Sequence, residues 1–112
     1  MVNQSTPDRG DLVWLNFSLQ SGLEQAGRRP CLVVSPASYN RKSGLALVCP
    51  ITSRIKGYPF EVPVSGDSGL NGVVLADQVR SVDFAAREFE SAGQVLRKTL
   101  EEVLERLGPL VR

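Results

Sequence analysis

Two short runs hold the residues of this chain best suited to chemistry on a phosphate. The first, Glu24-Gln25-Ala26-Gly27-Arg28-Arg29-Pro30, places an acid, an amide and two guanidiniums just ahead of the apolar stretch Cys31-Leu32-Val33-Val34-Ser35. The second, Thr52-Ser53-Arg54-Ile55-Lys56-Gly57-Tyr58, sets two hydroxyls and two cations after another apolar stretch, Leu45 to Ile51. A guanidinium is a fixed planar fork that matches a phosphate bidentately and stays charged at any working pH. Thr52 and Ser53 offer short hydroxyl donors to a phosphate oxygen. Glu24 is the nearest acid in sequence, and it becomes a competent base where burial or like charge raises its pKa.

What these residues can do is bounded by what the chain lacks. Histidine is absent, so no side chain has an ordinary pKa near 7, and both a histidine-pair ribonuclease mechanism and a serine-histidine relay are excluded. The carboxylates are scattered, and Cys31 and Cys49 show no metal-ligand spacing. No metal site is read from the chain and no cofactor is expected. There remains electrostatic and hydrogen-bond catalysis of phosphoryl transfer. If RNA is the substrate, its own 2'-hydroxyl attacks the adjacent phosphate, so the protein need only remove a proton, align the groups and stabilise the developing charge. Arg29 suits the last task. Taken alone, the 24–30 run reads sooner as a flexible, solvated surface loop closed by Pro30, since short charged loops are ordinary.

The formal net charge is only +1, yet it is unevenly spread: residues 1–60 carry seven Lys and Arg against three acids, and the rest of the chain is net acidic. A nearly neutral protein can therefore hold a local positive groove. The 112 residues suit a single domain, 1–112, with one modest core. Both cysteines lie inside apolar runs and read as free, buried thiols, able to pair only if their strands are neighbours. Their number points to a reducing cytoplasm. No charged-then-apolar leader begins the chain, and no apolar run approaches the ~18 residues needed to span a bilayer.

The elements that must position these residues are mostly strands. Leu12 to Phe17, Cys31 to Ser35, Leu45 to Ile51, Phe60 to Val64 and Gly72 to Val79 are rich in Val, Leu, Ile and aromatics, and Gly, Pro, Ser or Asn bound each. Such a series predicts a small, mostly antiparallel barrel or sandwich. Ser65 to Gly72 is pure turn chemistry and reads as a mobile loop. Ser35-Pro36 resembles an N-cap followed by proline at the first helical position, predicting a short helix over Ala37 to Lys42 ended by Gly44. Leu96, Leu100, Val103, Leu104 and Leu107 recur at helical spacing, with Gly108-Pro109 as the stop. Their stripe is read as core.

Read together, Glu24 to Pro30, Ser35 to Asn40, Cys49 to Ser53, Lys56 to Val62 and Leu75 to Ser81 fall in an order and spacing that resembles the MazF/PemK toxins. The likeness runs from Pro7-Asp8-Arg9-Gly10-Asp11 to the C-terminal helical segment. It implies an SH3-like barrel carrying helices, usually as a homodimer. It also implies sequence-specific, metal-independent cleavage of single-stranded RNA, mainly messenger RNA, giving a 2',3'-cyclic phosphate and a 5'-hydroxyl. The partner it implies is a small MazE-like antitoxin whose acidic segment covers the RNA site. Arg29, Thr52 and, often, Glu24 match the family's cleavage residues. Arg28 adds a second cation beside Arg29, and Asn16 stands where some relatives carry an acid.

Several assignments of RNA contact stay open on residue type alone. Gln25, Arg28 and Ser53 flank the cleavage candidates. Arg54 and Lys56 read as phosphate contacts or as solvated loop charges, and the resemblance favours contact. Asp77 and Gln78 interrupt an apolar run, either facing water by alternation or reading a base edge. Asn40 either contacts RNA or merely ends the short helix. Tyr58 and Phe60 are read as core or rim, and Trp14 as core or dimer contact. Two other classes compete with the endoribonuclease: a CcdB-like barrel toxin that inhibits DNA gyrase, and a non-catalytic RNA-binding barrel.

Overall fold

Strand β1 (Asp11–Asn16) carries Leu12 into one core and Val13 and Leu15 into another, and this double duty organises the molecule. The computed structural model describes residues 6–17, 27–64 and 69–112. In β2 (Arg28–Val33), Leu32 joins the first core while Cys31 and Val33 join the second. In β3 (Leu45–Thr52), Ala46 and Val48 feed the second core, and Cys49 and Ile51 the first. Covered on both faces, these strands read as continuous apolar runs rather than alternating ones. At about 25 cal/mol per Å², each buried Val or Leu contributes about 1.5–3 kcal/mol, which is what makes these three strands the rigid frame.

All strand pairings are antiparallel, in the order β4-β5-β3-β2-β1-β7, where β4 is Glu61–Pro63, β5 Val73–Leu75 and β7 Glu90–Gln94; β6 (Arg80–Asp83) pairs with β3 off this path. The eight-residue β3 is the hub. Its first half, Leu45 to Val48, pairs with β6, and its end, Ile51 and Thr52, pairs with β5. Among the described residues β4 and β7 do not pair, so the expected barrel is an open, bent sheet. The short β4 lies instead against helix α2 (Arg97–Val111), whose Val103 and Leu107 join Val62, Val74 and Ala76 in the first core.

Five further expectations need correction. The predicted Gly72 to Val79 strand breaks after Leu75: Ala76–Gln78 is a 3-10 turn, and the chain re-enters the sheet as β6. Arg28 and Arg29, expected on a loop, begin β2 opposite Asn16 and Leu15. Pro30 does not mark the strand start because the β2–β3 ladder begins only at Cys31, so at Pro30 a missing N–H removes no bond to β3. Gly108-Pro109 does not stop α2, which runs on to Val111. Proline there forfeits only the single bond its missing N–H would have made to the Glu105 carbonyl, near the end of a 15-residue helix. The buried stripe of α2 is Thr99, Val103 and Leu107, and Leu96 stays exposed.

Helix α1 (Ala37–Ser43) forms as expected and ends at Gly44, whose φ of +76° is a conformation few side-chain-bearing residues adopt. Its cap is different. The first-turn amide of Ala37 donates to Asp8 Oδ1 at 2.8 Å, while the Ser35 hydroxyl donates to Asn40 Oδ1 at 2.6 Å and accepts from the Leu47 amide. The 65–68 part of the predicted mobile loop lies outside the described residues. Among those residues, no helix is long and apolar enough to cross a membrane.

Cys31 and Cys49 lie on neighbouring strands, but the register sets Cys49 opposite Leu32 and Cys31 opposite Pro50. One thiol enters each core, both are free, and pairing is ruled out because they point to opposite faces. Burial pushes both up to about 12 from an ordinary 9.0, with Arg80 pulling Cys31 back slightly and Asp77 raising Cys49 further. Because the folded values lie above the unfolded one, the contribution to stability is complete below about pH 9. It is lost as pH rises toward about 12, where the unfolded chain releases protons that the folded chain keeps. Each thiol accounts for at most about 1.4 kcal/mol per pH unit in that window. Urea unfolding at a series of pH values should show a steeper alkaline loss for the natural chain than for a Cys31→Ala, Cys49→Ala variant. Equal slopes would refute the assignment.

Candidate functional site

Where β3 ends at Thr52, the chain leaves the sheet and returns as β4, and residues 53–60 of this connection wall a groove of about 200 Å³. Thr52, Arg54, Lys56, Tyr58, Phe60 and Glu61 line it on that side, and Leu75, Asp77 and Gln78 on the other. The break of the Gly72 to Val79 run at the 3-10 turn is what brings Asp77 and Gln78 here. Continued as a strand, those residues would have alternated across a sheet.

Local backbone chemistry builds the Thr52 corner. Thr52 pairs with Val73, and Gly72 before it has a φ of +127°. A Cβ on Gly72 would stand 2.2 Å from the Thr52 carbonyl oxygen, so only glycine lets β5 approach this strand end. The Thr52 hydroxyl oxygen accepts the Arg54 amide at 3.1 Å, which orients the side chain and leaves its O–H to donate into the groove.

The wall is held from within and from outside. Glu61 accepts the amides of Lys56 at 3.1 Å and Gly57 at 2.8 Å, folding the connection back on itself. From α2, Arg106 Nη1 donates to the Pro59 carbonyl, and its Nη2 pairs with Glu102 at 2.8 Å. Lys56 Nζ sits 5.9 Å from the centre of the exposed Tyr58 ring. The groove thus carries two cations, two acids, the hydroxyls of Thr52 and Tyr58 and an amide, with Glu61 occupied by the wall's backbone.

A second cationic surface adjoins it. Extending the β2–β3 register of Cys31 with Pro50 by two residues sets Arg29 level with Thr52 at the ends of neighbouring strands. Arg29 is exposed, and its charge acts on the Cys31 thiol. Beyond β1, the guanidiniums of Arg80 and Arg87 lie 5.1 and 4.8 Å from the Phe17 ring centre, the cation–π range. Arg28 pairs with Glu90 at 2.6 Å, and the Asn16 amide donates to Glu88 at 3.1 Å.

Of the residues singled out from sequence, Thr52, Arg54, Lys56, Asp77 and Gln78 converge on the one groove. Ser53 is exposed beside Thr52, and Arg29 stands on the adjacent strand. Arg28 is on β2 but engaged by Glu90. Asn40 is not a surface contact: it is fully buried, donating to Pro7 O and Ser35 O and accepting from Ser35, so it pins α1 to the sheet. Glu24 and Gln25 lie outside the described residues. Sequence reasoning missed Glu61, Gly72, Arg80, Arg87 and Arg106. Only Glu61 left a local trace, an acid four residues after a loop glycine. Arg106 meets its partner across 47 positions, which no local pattern records.

A family model described as PemK-like, MazF-like toxin of type II toxin-antitoxin system matches residues 8–111. The chain is 44% identical over 111 residues to the endoribonuclease toxin MazF of Escherichia coli K12, covering 99% of each. It is 41% identical over 118 residues to the endoribonuclease toxin ChpB of the same strain, again covering 99% of each. Among solved structures, it is similar to MazF from Deinococcus radiodurans, with 52% identity, a TM-score of 0.85 and coverage of 96% and 98%. It is also similar to a MazE-MazF crystal structure from that organism, with 50% identity, a TM-score of 0.88 and coverage of 96% and 97%.

Proposed function

The chain belongs to the family of PemK-like, MazF-like toxins of type II toxin-antitoxin systems, and on that premise we propose that it is an endoribonuclease toxin acting on single-stranded RNA through the groove at Thr52. The observation that carries this reading is the convergence of Thr52, Arg54, Lys56, Asp77 and Gln78 from two distant segments into one groove, with Arg29 on the neighbouring strand, two residues before the Cys31 that pairs with Pro50. A hydroxyl donor, a guanidinium and two flanking cations on one scissile phosphate are what 2'-hydroxyl attack needs from a protein without histidine.

In this mechanism Arg54 and Lys56 hold the RNA backbone, and Asp77 and Gln78 offer acceptor and donor groups to a base edge. Thr52 donates its hydroxyl to a phosphate oxygen while Arg29 faces the charge that grows as the 2'-oxygen attacks. Glu24 takes the proton from the attacking 2'-hydroxyl of the RNA. The P–O5' bond breaks as the P–O2' bond forms, and the departing 5'-oxygen takes a proton from water, which regains one from protonated Glu24, leaving a 2',3'-cyclic phosphate and a 5'-hydroxyl. No redox partner or metal is required. The functional unit is a homodimer of the 1–112 domain in the cytoplasm, restrained by a MazE-like antitoxin.

Incubating the purified chain with a long single-stranded RNA in EDTA tests the whole reading. Discrete fragments ending in cyclic phosphate support it. RNA retained without cleavage, or gyrase-dependent DNA breaks in place of RNA cleavage, would replace it with a binding module or a CcdB-like toxin. Within the same assay, Thr52→Ala should slow cleavage by about tenfold to 10²-fold, less than loss of a guanidinium, because one neutral hydroxyl is removed and Ser53 stands beside it. A rate equal to that of the natural chain would remove Thr52 from the mechanism.

A further inference from the structure

The wall of the groove, residues 53–60, has no regular secondary structure of its own and is exposed along almost its whole length. Loops of that kind sample many arrangements unless tied, and ordering them on ligand binding weakens affinity. Two ties are present. Glu61 closes the inner turn through the Lys56 and Gly57 amides. Helix α2 supplies the outer one, through Arg106 and the Pro59 carbonyl.

The outer tie is preset by the helix itself. Glu102 stands four residues before Arg106 and holds Nη2 at 2.8 Å, in the favourable acid-before-base order, leaving Nη1 aimed at Pro59. Immediately after Pro59, Phe60 packs on the core cluster that includes Val103 and Leu107 of α2. A polar tie to α2 and an apolar anchor in the core to which α2 contributes therefore act at neighbouring residues of the wall. Lys56 and Tyr58, which line the groove, lie between this tie and the rigid end of β3.

We propose that Arg106 is a positioning residue for the groove: by clamping Pro59 it sets the shape of the wall, so that the C-terminal helix controls how tightly RNA is gripped. The inference rests on the reading of the groove as the RNA site. Arg29 and Thr52 stand on strand ends rather than on the wall, so the clamp acts on binding and not on the chemical step.

Arg106→Ala should weaken binding of a 2'-O-methylated single-stranded RNA, which lacks the attacking hydroxyl, by about tenfold, the equivalent of one charged hydrogen bond partly exposed to water. KM for cleavable RNA should rise in step while kcat at saturation stays within about twofold. Arg106→Lys, which keeps a cationic donor, should recover part of the affinity. Glu102→Gln should act in the same direction with less effect, and the pair should be non-additive. Amide hydrogen exchange at Lys56 and Gly57, followed without RNA, should quicken in Arg106→Ala and not in Arg106→Lys. Unchanged exchange overturns the clamp whatever RNA does, and faster exchange with unchanged RNA affinity overturns its link to the groove. A natural chain that binds no RNA counts against the RNA reading alone, since the exchange measurement still decides the clamp.

Discussion

Arg29→Ala should lower the rate of RNA cleavage by about 10²-fold or more, the scale for removing one preorganised donor from a charged transition state. The fold should survive, because Arg29 is exposed at the start of β2 while the packing of that strand is done by Cys31, Leu32 and Val33. Unfolding midpoints of the variant and the natural chain should therefore agree closely, and single-turnover cleavage at saturating RNA should show the whole loss. Combined with Thr52→Ala, the effect should fall well short of the product of the two single losses if, as proposed, these residues at the ends of neighbouring strands serve one phosphate. A folded Arg29→Ala protein cleaving at the natural rate would end the assignment. Full multiplicativity would place Arg29 and Thr52 on different groups of the substrate.

The parts of this molecule that were legible in its sequence are those where local and global preferences agree. β1 to β3 are continuous apolar runs because each is buried on both faces, and their existence follows from composition alone. Helix α1 announced itself through Pro36 and Gly44. Arg29 and Thr52 stand out in the sequence because each adjoins such an apolar run, at the start of β2 and the end of β3. What escaped notice depends on distant partners. β7, Glu-Ser-Ala-Gly-Gln, has no apolar pattern and is a strand only because β1 offers it a ladder. Asn40 looks like a polar surface residue until Pro7 and Ser35 are seen to satisfy its buried amide. The break after Leu75 has no glycine or proline to mark it, yet it moves Asp77 and Gln78 from a strand face into the groove.

Reversing two charges in that groove, Arg54→Glu with Lys56→Glu, should weaken single-stranded RNA by about 10²-fold or more at low salt, as two phosphate contacts become repulsions. Glu61 and Asp77 already line the groove, so the change converts a balanced set of two cations and two acids into four acids. The logarithmic dependence of RNA affinity on salt should become shallower by about two contacts' worth. If an acidic antitoxin segment lies over the same wall, it depends on the same field, so its association should slow in parallel and lose most of its own salt dependence. Competition then follows: antitoxin added to the natural chain should raise the apparent KM for RNA without lowering kcat at saturation. A charge-reversed variant that lost RNA but kept the natural antitoxin affinity and salt dependence would separate the two sites. Inhibition would then have to reach the groove indirectly, through an element that touches the wall without facing RNA, and helix α2 with its Arg106 tie to Pro59 is the element so placed.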